Sequence, residues 1–276
     1  MATTIAGLVD VRPDETVEVI TAGLLAALVW NGLMWYLGLP SSSTHALVGG
    51  LTGAAIAAAG VDAVNWGGLD GWRPVGVLGT LIALAITPPL GAAAGYLALS
   101  LGRRALRRAT RRFERPFLEA QWFAAGLLAV GQGANDAQKS VGVIVAVLFA
   151  SGSISSLEAP FLVTLGAALA MAVGTALGGW NIVRTIGRRI YELRALDSLA
   201  SQSSSAAVIL ASTVAGAPIS GTHVVASSVV GVGAARHRWR RIRWAVVREI
   251  AVAWLTTIPA TALLAAAALG LWRLVR

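Results

Sequence analysis

The chain has no cysteine, and only 13% of its 276 residues are charged. Without cysteine, neither a disulfide framework nor a thiolate metal site can form. Hydrophobic residues make up 56% of the chain, and its mean hydropathy is +0.72. Most of six apolar stretches are long enough for a membrane span of about 20 residues: 19–39, 75–101, 117–150, 161–179, 206–217 and 244–272. The composition therefore predicts an all-α, multi-pass protein of the cell membrane, in contact with the lipid bilayer.

Lysine is nearly absent too, since Lys139 is the single lysine among 22 basic residues. The net charge of +9 arises mainly from arginines clustered at 102–116, 184–194 and 236–243. Short basic loops beside apolar spans are typical of cytoplasmic segments. No soluble stretch is long enough to carry a nucleic-acid surface, so we expect no nucleic-acid partner.

The sequence contains a duplicated motif. GLPSSSTH at 38–45 and GAPISGTH at 216–223 share the pattern G-x-P-x-S-x-T-H, with an offset of 220 − 42 = 178 residues. The flanks of the first copy are acidic and those of the second are basic. The positive-inside rule then predicts re-entrant helical hairpins that enter the membrane from opposite sides, which makes the halves inverted-topology repeats. We assign 1–101 to the first repeat, 102–116 to a basic cytoplasmic loop and 117–276 to the second repeat.

A polar segment, GQGANDAQKS at 131–140, interrupts one apolar stretch. Its glycines and Asn135 predict a break in the helix, which would expose backbone groups at mid-membrane. Charges inside a membrane cost a few kcal/mol each, by the lower estimates. We therefore interpret Asp136 as a site for a cation or a proton. The alternative is an ion pair with Lys139 that only offsets its own burial.

The two hairpins carry hydroxyl groups beside prolines. Proline frees backbone groups, and hydroxyl and N–H donors together can replace the hydration shell of an oxyanion. The alternative is ordinary capping of a helix start. His45 and His223 have no cysteine or carboxylate nearby, so we expect neither a metal site nor a cofactor. The candidate anion ligands in the hairpins are Ser42, Ser43, Thr44, Ser220 and Thr222.

The sequence argues against an enzyme. An intramembrane aspartyl protease needs two embedded aspartates, and a single one, Asp136, lies deep in a predicted span. An intramembrane serine protease needs a Ser–His pair that meets across helices. Ser220 and His223 instead share one short motif that occurs twice, which catalysis does not require.

GQGANDAQKSVG, together with GLPSSSTHALVGG and GAPISGTHVVASSVVG, resembles the inorganic phosphate transporter family, PiT. The resemblance implies a symporter that imports phosphate with sodium or protons by alternating access between inverted repeats with broken helices. It also implies that Asn135, Gln138 and Ser140 bind phosphate together with the hairpin hydroxyls. Asp136 is then the coupling residue, and Lys139 its charge partner or a part of the site.

The chain departs from the family pattern in one respect. The family has two GAND-type motifs, and the offset places the mate of Asn135 at 135 − 178 = −43. We therefore expect the first repeat to lack its N-terminal part. The open alternatives are a permease for sulfate or another oxyanion, a truncated module that does not transport, and an uncoupled channel. The sequence leaves sodium, protons and a homo-oligomer all open.

Overall fold

The computed structural model describes residues 7–70, 73–107, 114–217, 219–236 and 239–275. Its helices in chain order are α1 Pro13–Leu37, α2 Ser43–Ala59, α3 Gly76–Ala105, α4 Glu114–Ala150, α5 Phe161–Ala176, α6 Trp180–Arg184, α7 Ala195–Val214, α8 Gly221–Ala235 and α9 Trp244–Val275. A π-helical segment, Thr185–Ile190, follows α6 directly. Between α2 and α3, β1 (Gly68–Asp70) pairs antiparallel with β2 (Arg73–Val75). Across these described residues the protein is all-α apart from the β1–β2 pair, as predicted.

Several of these helices can cross a membrane. By length and composition, α1 from Asp14, α3 and α9 qualify as spans. A fourth span results if α5 is joined to Trp180–Ile190, across a bend of 64° at Gly178 and Gly179. No residue of α5 is buried, and its large apolar side chains are exposed, as contact with lipid requires. The chain is a multi-pass membrane protein.

The break predicted at 131–140 is wrong. The structure has one continuous helix here, α4, of 37 residues. Two features override the low helix propensity of the segment. Gln132 and Lys139, four residues before and three residues after Asp136, hydrogen-bond to it along the helix surface. Gly131 packs closely against α7, where an added Cβ would touch Leu210, so a glycine at this position allows the two helices to approach. The sharp bend lies instead between α5 and α6.

Both ends of the basic loop predicted at 102–116 are helical in the structure. Helix α3 continues to Ala105, and α4 already begins at Glu114. Arginine is a good helix former, so basic residues extend the helix rather than end it. Residues 106 and 107 form a turn, and 108–113 lie outside the described residues.

The duplication is visible in the backbone. Gly38 and Gly216 both adopt left-handed conformations, with φ of 68° and 71°. Ser42 and Ser220 have nearly equal dihedrals, φ/ψ of −102°/112° and −99°/111°, and each precedes a short apolar helix. Both positions differ by the offset of 178. Equal geometry at equal spacing shows that the two motifs fold the same way.

The duplication extends to α3 and α9 with a changed offset. Thr87, Pro89 and Arg103 correspond to Thr257, Pro259 and Arg273, an offset of 257 − 87 = 170. The threonines even share a hydrogen bond, since each hydroxyl donates to the carbonyl four residues earlier, at 2.7 and 2.6 Å. The connection before α9 is therefore 178 − 170 = 8 residues shorter than its counterpart before α3.

The two repeats are inverted relative to each other. Helix α3 begins beside the segment after α2, because the Val77 N–H donates to the Asn65 carbonyl at 3.0 Å. The same helix ends beside the end of α8, where Arg103 donates to the Ala235 carbonyl at 3.2 Å. Thirty residues of helix, about 45 Å, separate these ends. The hairpin helices α2 and α8 thus end on opposite sides of the molecule.

Each hairpin helix packs against the last helix of the other repeat. Gly53 of α2 lies against the backbone of Ala262 in α9, and its repeat mate Gly231 of α8 lies against the backbone of Ala92 in α3. Such close approaches need a residue without a side chain. The largest cluster of buried apolar residues surrounds the α1–α2–α9 contact. Each repeat therefore packs one of its helices against a helix of the other repeat, and we call the repeats interlocked in this sense.

We expect Gly231→Ala to lower the free energy of unfolding by about 1–3 kcal/mol, because its Cβ would overlap the Ala92 backbone, which cannot rotate away. The control is Gly126→Ala in α4, where no atom lies within 4 Å of the added Cβ. Thermal melting in detergent micelles measures both. Equal melting temperatures for the two variants would contradict the packing described above.

Candidate functional site

A cavity of about 500 Å³ lies between α1, α2 and α4. Four of the ten residues predicted for the site line it: Ser43, Asp136, Lys139 and Ser140. Asn31 of α1 adds an amide, and the remaining wall is apolar: Leu24, Ala27, Leu28, Leu47, Val143, Ile144 and Met171. A mostly apolar pocket with a few convergent polar groups is typical of a small-ligand site.

The polar face of α4 is organised around Asp136. Lys139 Nζ donates to Asp136 Oδ1 at 2.6 Å, and Asn135 Nδ2 donates to the same oxygen at 3.2 Å. Gln132 Nε2 donates to Oδ2 at 3.2 Å. The side chain of Lys139 is 5% exposed and that of Asp136 is 20% exposed. The cluster is a compensated pair of charges, with the carboxylate open toward the cavity.

The starts of α2 and α8 meet beside this cluster. Ser42 Oγ accepts from the His45 N–H at 3.2 Å, and Ser220 Oγ accepts from the His223 N–H at 3.4 Å. The two imidazole rings lie 4.7 Å apart, centre to centre. Two helix starts from opposite repeats therefore converge, and with them the positive ends of two helix dipoles.

Ser42 and Ser220 cap the starts of α2 and α8, as the capping alternative in the sequence analysis predicted. Ser42 and Thr44 are fully buried and Ser220 is nearly so. Thr44 Oγ1 donates across the repeat boundary to the Ile219 carbonyl at 3.4 Å. Capping and a ligand role are compatible, because a hydroxyl that accepts from a backbone N–H can still donate.

The structure does not bring every predicted residue into the cavity. Asn135 is buried and donates to Asp136, and Gln138 is half-buried. Thr222 is half-buried in the first turn of α8. These residues, with Ser42, Thr44 and Ser220, lie outside the cavity lining. Pro218 lies outside the described residues.

Sequence reasoning missed two contributors near Asp136. Gln132 contacts both Asp136 and the start of α8, where a Cβ on Gly221 would collide with its amide. Its position four residues before Asp136 on a helix was the signal that would have found it. Asn31 is a lone amide within the apolar helix α1. A single polar residue in a membrane span usually has a function, so Asn31 could also have been identified from the sequence.

The side chains of Trp254 and Thr257 in helix α9 contact the first hairpin. Trp254 Nε1 donates to the Pro40 carbonyl at 2.8 Å, and the Trp254 ring packs on His223 at 3.8 Å between ring centres. Thr257 Oγ1 lies 3.2 Å from Ser41 Oγ and accepts from Trp30 Nε1 at 3.0 Å. The second repeat thus positions the hairpin of the first.

Several buried polar atoms near the helix starts have no hydrogen-bond partner among the described residues. They include Gln132 Oε1, Asn135 Oδ1 and His45 Nδ1. Leaving a buried donor or acceptor unsatisfied costs about 1–3 kcal/mol. Unsatisfied atoms in a native protein mark places where water, an ion or a ligand can bind.

Inverted repeats, with hairpin helices that meet at a buried polar cluster, define a membrane protein built like the secondary transporters. The chain belongs to the phosphate transporter family, whose model matches residues 1–116 and 104–265. The resemblance inferred from the three motifs is thereby confirmed. The family is one of transporters, and the chain is not an enzyme.

Two relatives agree with this assignment. A protein of Mycobacterium tuberculosis (strain ATCC 25618 / H37Rv), named probable low-affinity inorganic phosphate transporter, is 40% identical over 98% of this chain and 64% of its own length. A protein of the same name from Bacillus subtilis (strain 168) is 35% identical over 94% of this chain and 77% of its own length. The chain thus spans 64% of the length of the mycobacterial relative.

The fold is that of a solved structure titled "The sodium-dependent phosphate transporter". The TM-score is 0.84 with 23% sequence identity, covering 100% of this chain and 85% of that chain.

Proposed function

We propose that these repeats import inorganic phosphate by symport with a cation, through alternating access. The observation that carries the proposal is the meeting of two helix starts from inverted repeats beside the Asp136–Lys139 pair. The family and the names of the relatives support phosphate as the substrate.

The anion would bind where the two helix starts converge. Free N–H groups in the first turns of α2 and α8 donate without adding a fixed charge. We assign the hydroxyls of Ser42, Ser43, Thr44, Ser220 and Thr222 and the side chains of Asn135, Gln138 and Ser140 to phosphate. Phosphate needs many donors at once, and hydroxyls, amides and backbone N–H groups supply them.

The coupling cation would act through Asp136. Its carboxylate is neutralised by Lys139, so the site carries no net charge before ligand binds. An anion placed in a low-dielectric site is costly unless a positive charge accompanies it. A cation or proton taken up at Asp136 leaves the site with net positive charge, which favours phosphate. This link makes the binding of the two ions interdependent.

Alternating access would use the interlocked repeats. Each hairpin helix packs on the last helix of the other repeat, through Gly53 and Gly231. Motion of one repeat against the other therefore carries a hairpin with it. The ligands lie on both sides of this boundary, so such a motion opens the site to one face at a time.

The direct test is uptake of radiolabelled phosphate into proteoliposomes under a sodium gradient, a pH gradient or neither. We expect saturable uptake that requires a gradient and that excess unlabelled phosphate, but not excess sulfate, suppresses. Suppression by sulfate alone would replace phosphate with another oxyanion. Linear uptake without a gradient would indicate a channel, and binding without uptake a module that does not transport.

Gly221→Ala should raise the KM for phosphate about tenfold, the effect of losing one hydrogen bond to a charged group. The added methyl would displace the Gln132 amide, which then gives up its bond to Asp136. Gly233→Ala, in the same helix, is the control because the three atoms nearest its Cβ would belong to the side chains of Ile242 and Tyr191. An unchanged KM in Gly221→Ala would remove Gln132 from the site.

A further inference from the structure

We propose that Lys139 is a built-in cation that keeps sodium off Asp136. The inference concerns the cation side of the proposed function and rests on it for its consequence in transport. It starts from the closest ion pair of the described residues, Lys139 Nζ to Asp136 Oδ1 at 2.6 Å.

Both carboxylate oxygens already face donors. Oδ1 accepts from Lys139 and Asn135, and Oδ2 accepts from Gln132. Sodium, as a hard cation, needs oxygen atoms with free lone pairs in its coordination shell. At Asp136 three of the four lone-pair positions point at N–H groups, two on Oδ1 and one on Oδ2, so one on Oδ2 stays open. A sodium ion would have to displace at least the ammonium to reach Oδ1.

The ammonium cannot simply swing into water. Lys139 is 4% exposed, and Asp136 is the carboxylate paired with it in the described part of the chain. Withdrawal from Asp136 would leave a buried, uncompensated positive charge. Sodium bound next to an ammonium that stays would suffer repulsion between two unit charges a few ångströms apart, in a low-dielectric surrounding. Either route disfavours sodium here.

The cavity would suit sodium once the lysine is removed. Its polar lining beside Asp136 comprises the hydroxyls of Ser43 and Ser140 and the amide of Asn31. Each offers a neutral oxygen, and the carboxylate offers the charge. Oxygen ligands of this kind bind hard cations. Lys139 therefore determines cation selectivity, and its replacement creates a sodium site.

The test measures sodium binding without relying on transport. The melting temperature of the purified chain is followed while choline chloride is replaced by sodium chloride at constant ionic strength, and binding of radiolabelled sodium is measured in parallel. We expect no sodium-specific shift in the wild type or in Lys139→Arg. Lys139→Ala should bind sodium and melt at a higher temperature as sodium replaces choline. Arg189→Ala is the control, because it removes a half-exposed basic residue paired with Glu249.

Saturable sodium binding by the wild type, abolished in Asp136→Asn, would overturn the inference. So would a folded Lys139→Ala that binds no sodium. If Lys139→Ala does not fold, Lys139→Gln, which keeps an amide donor for Asp136, takes its place. Phosphate uptake is assayed separately. Absence of uptake under every gradient would refute the proposed function, while the sodium binding of wild type and variant would still decide the role of Lys139.

Discussion

Replacing Asp136 with asparagine should lower gradient-driven phosphate uptake about 100-fold or more, while the protein remains inserted in the membrane. A lost interaction with a charged group costs up to about 3 kcal/mol, and each 1.4 kcal/mol is a factor of ten. In the proposed function Asp136 is the group that takes up the coupling cation. Asparagine keeps the size of the side chain but cannot take up a proton or balance Lys139.

The obvious objection is that the variant fails to fold, because Lys139 would remain buried and unpaired. The double variant Asp136→Asn/Lys139→Gln answers this, since it removes both charges and leaves a neutral cluster of amides. We expect its melting temperature to return toward that of the wild type, with no return of gradient-driven uptake. Such a result separates coupling from folding.

Two assays measure the outcome. Concentrative uptake under a gradient reports coupling, and exchange of internal for external phosphate reports binding and translocation alone. We expect Asp136→Asn to lose the first more than the second. Normal concentrative uptake at normal expression would show that Asp136 does not couple transport to a cation.

The architecture was largely readable from the sequence because it depends on repeated motifs and on charge. The offset between Ser42 and Ser220 gave the duplication, and the charges around the hairpins gave the inversion, which the course of α3 bears out. The extension of the duplication to α3 and α9 was missed. A shorter connection changes the offset there, and the matched Thr87 and Thr257 are too few to notice without the shared geometry.

The continuous α4 could not be predicted from local sequence. Glycine and asparagine lower helix propensity wherever they occur. Propensity contains no information about Gly131 packing on α7 or about Asp136 bonding to side chains along its own helix. Tertiary contacts decided the conformation.

The members of the candidate site were predicted in part. Asp136, Lys139, Ser43 and Ser140 belong to recognised motifs, and they line one cavity. Asn31 was missed because it has no motif. The assignment of individual side chains to phosphate stays a prediction. One phosphate ion can contact only some of the predicted groups at once, and the sequence does not say which.

The pair Asp197–Arg236 offers the largest expected effect on stability. Arg236 NH2 lies 2.7 Å from Asp197 Oδ1, and Asp197 is fully buried. Asp197 Oδ2 also accepts from the Arg194 N–H at 3.1 Å, which caps the start of α7. One carboxylate thus joins the start of α7 to the end of α8.

Asp197→Ala should therefore lower the free energy of unfolding by about 3–5 kcal/mol, because it leaves the mostly buried Arg236 without its partner and also removes the cap. The matched control is Glu249→Ala, which breaks the half-exposed pair with Arg189, with an N–O distance of 3.6 Å. Exposed pairs contribute about 0–1 kcal/mol, so this control should melt almost as the wild type does. Urea or thermal unfolding in the same detergent compares the two. If both carboxylates prove equally dispensable, burial does not strengthen the Asp197 pair, and the link between α7 and α8 comes from their apolar contacts.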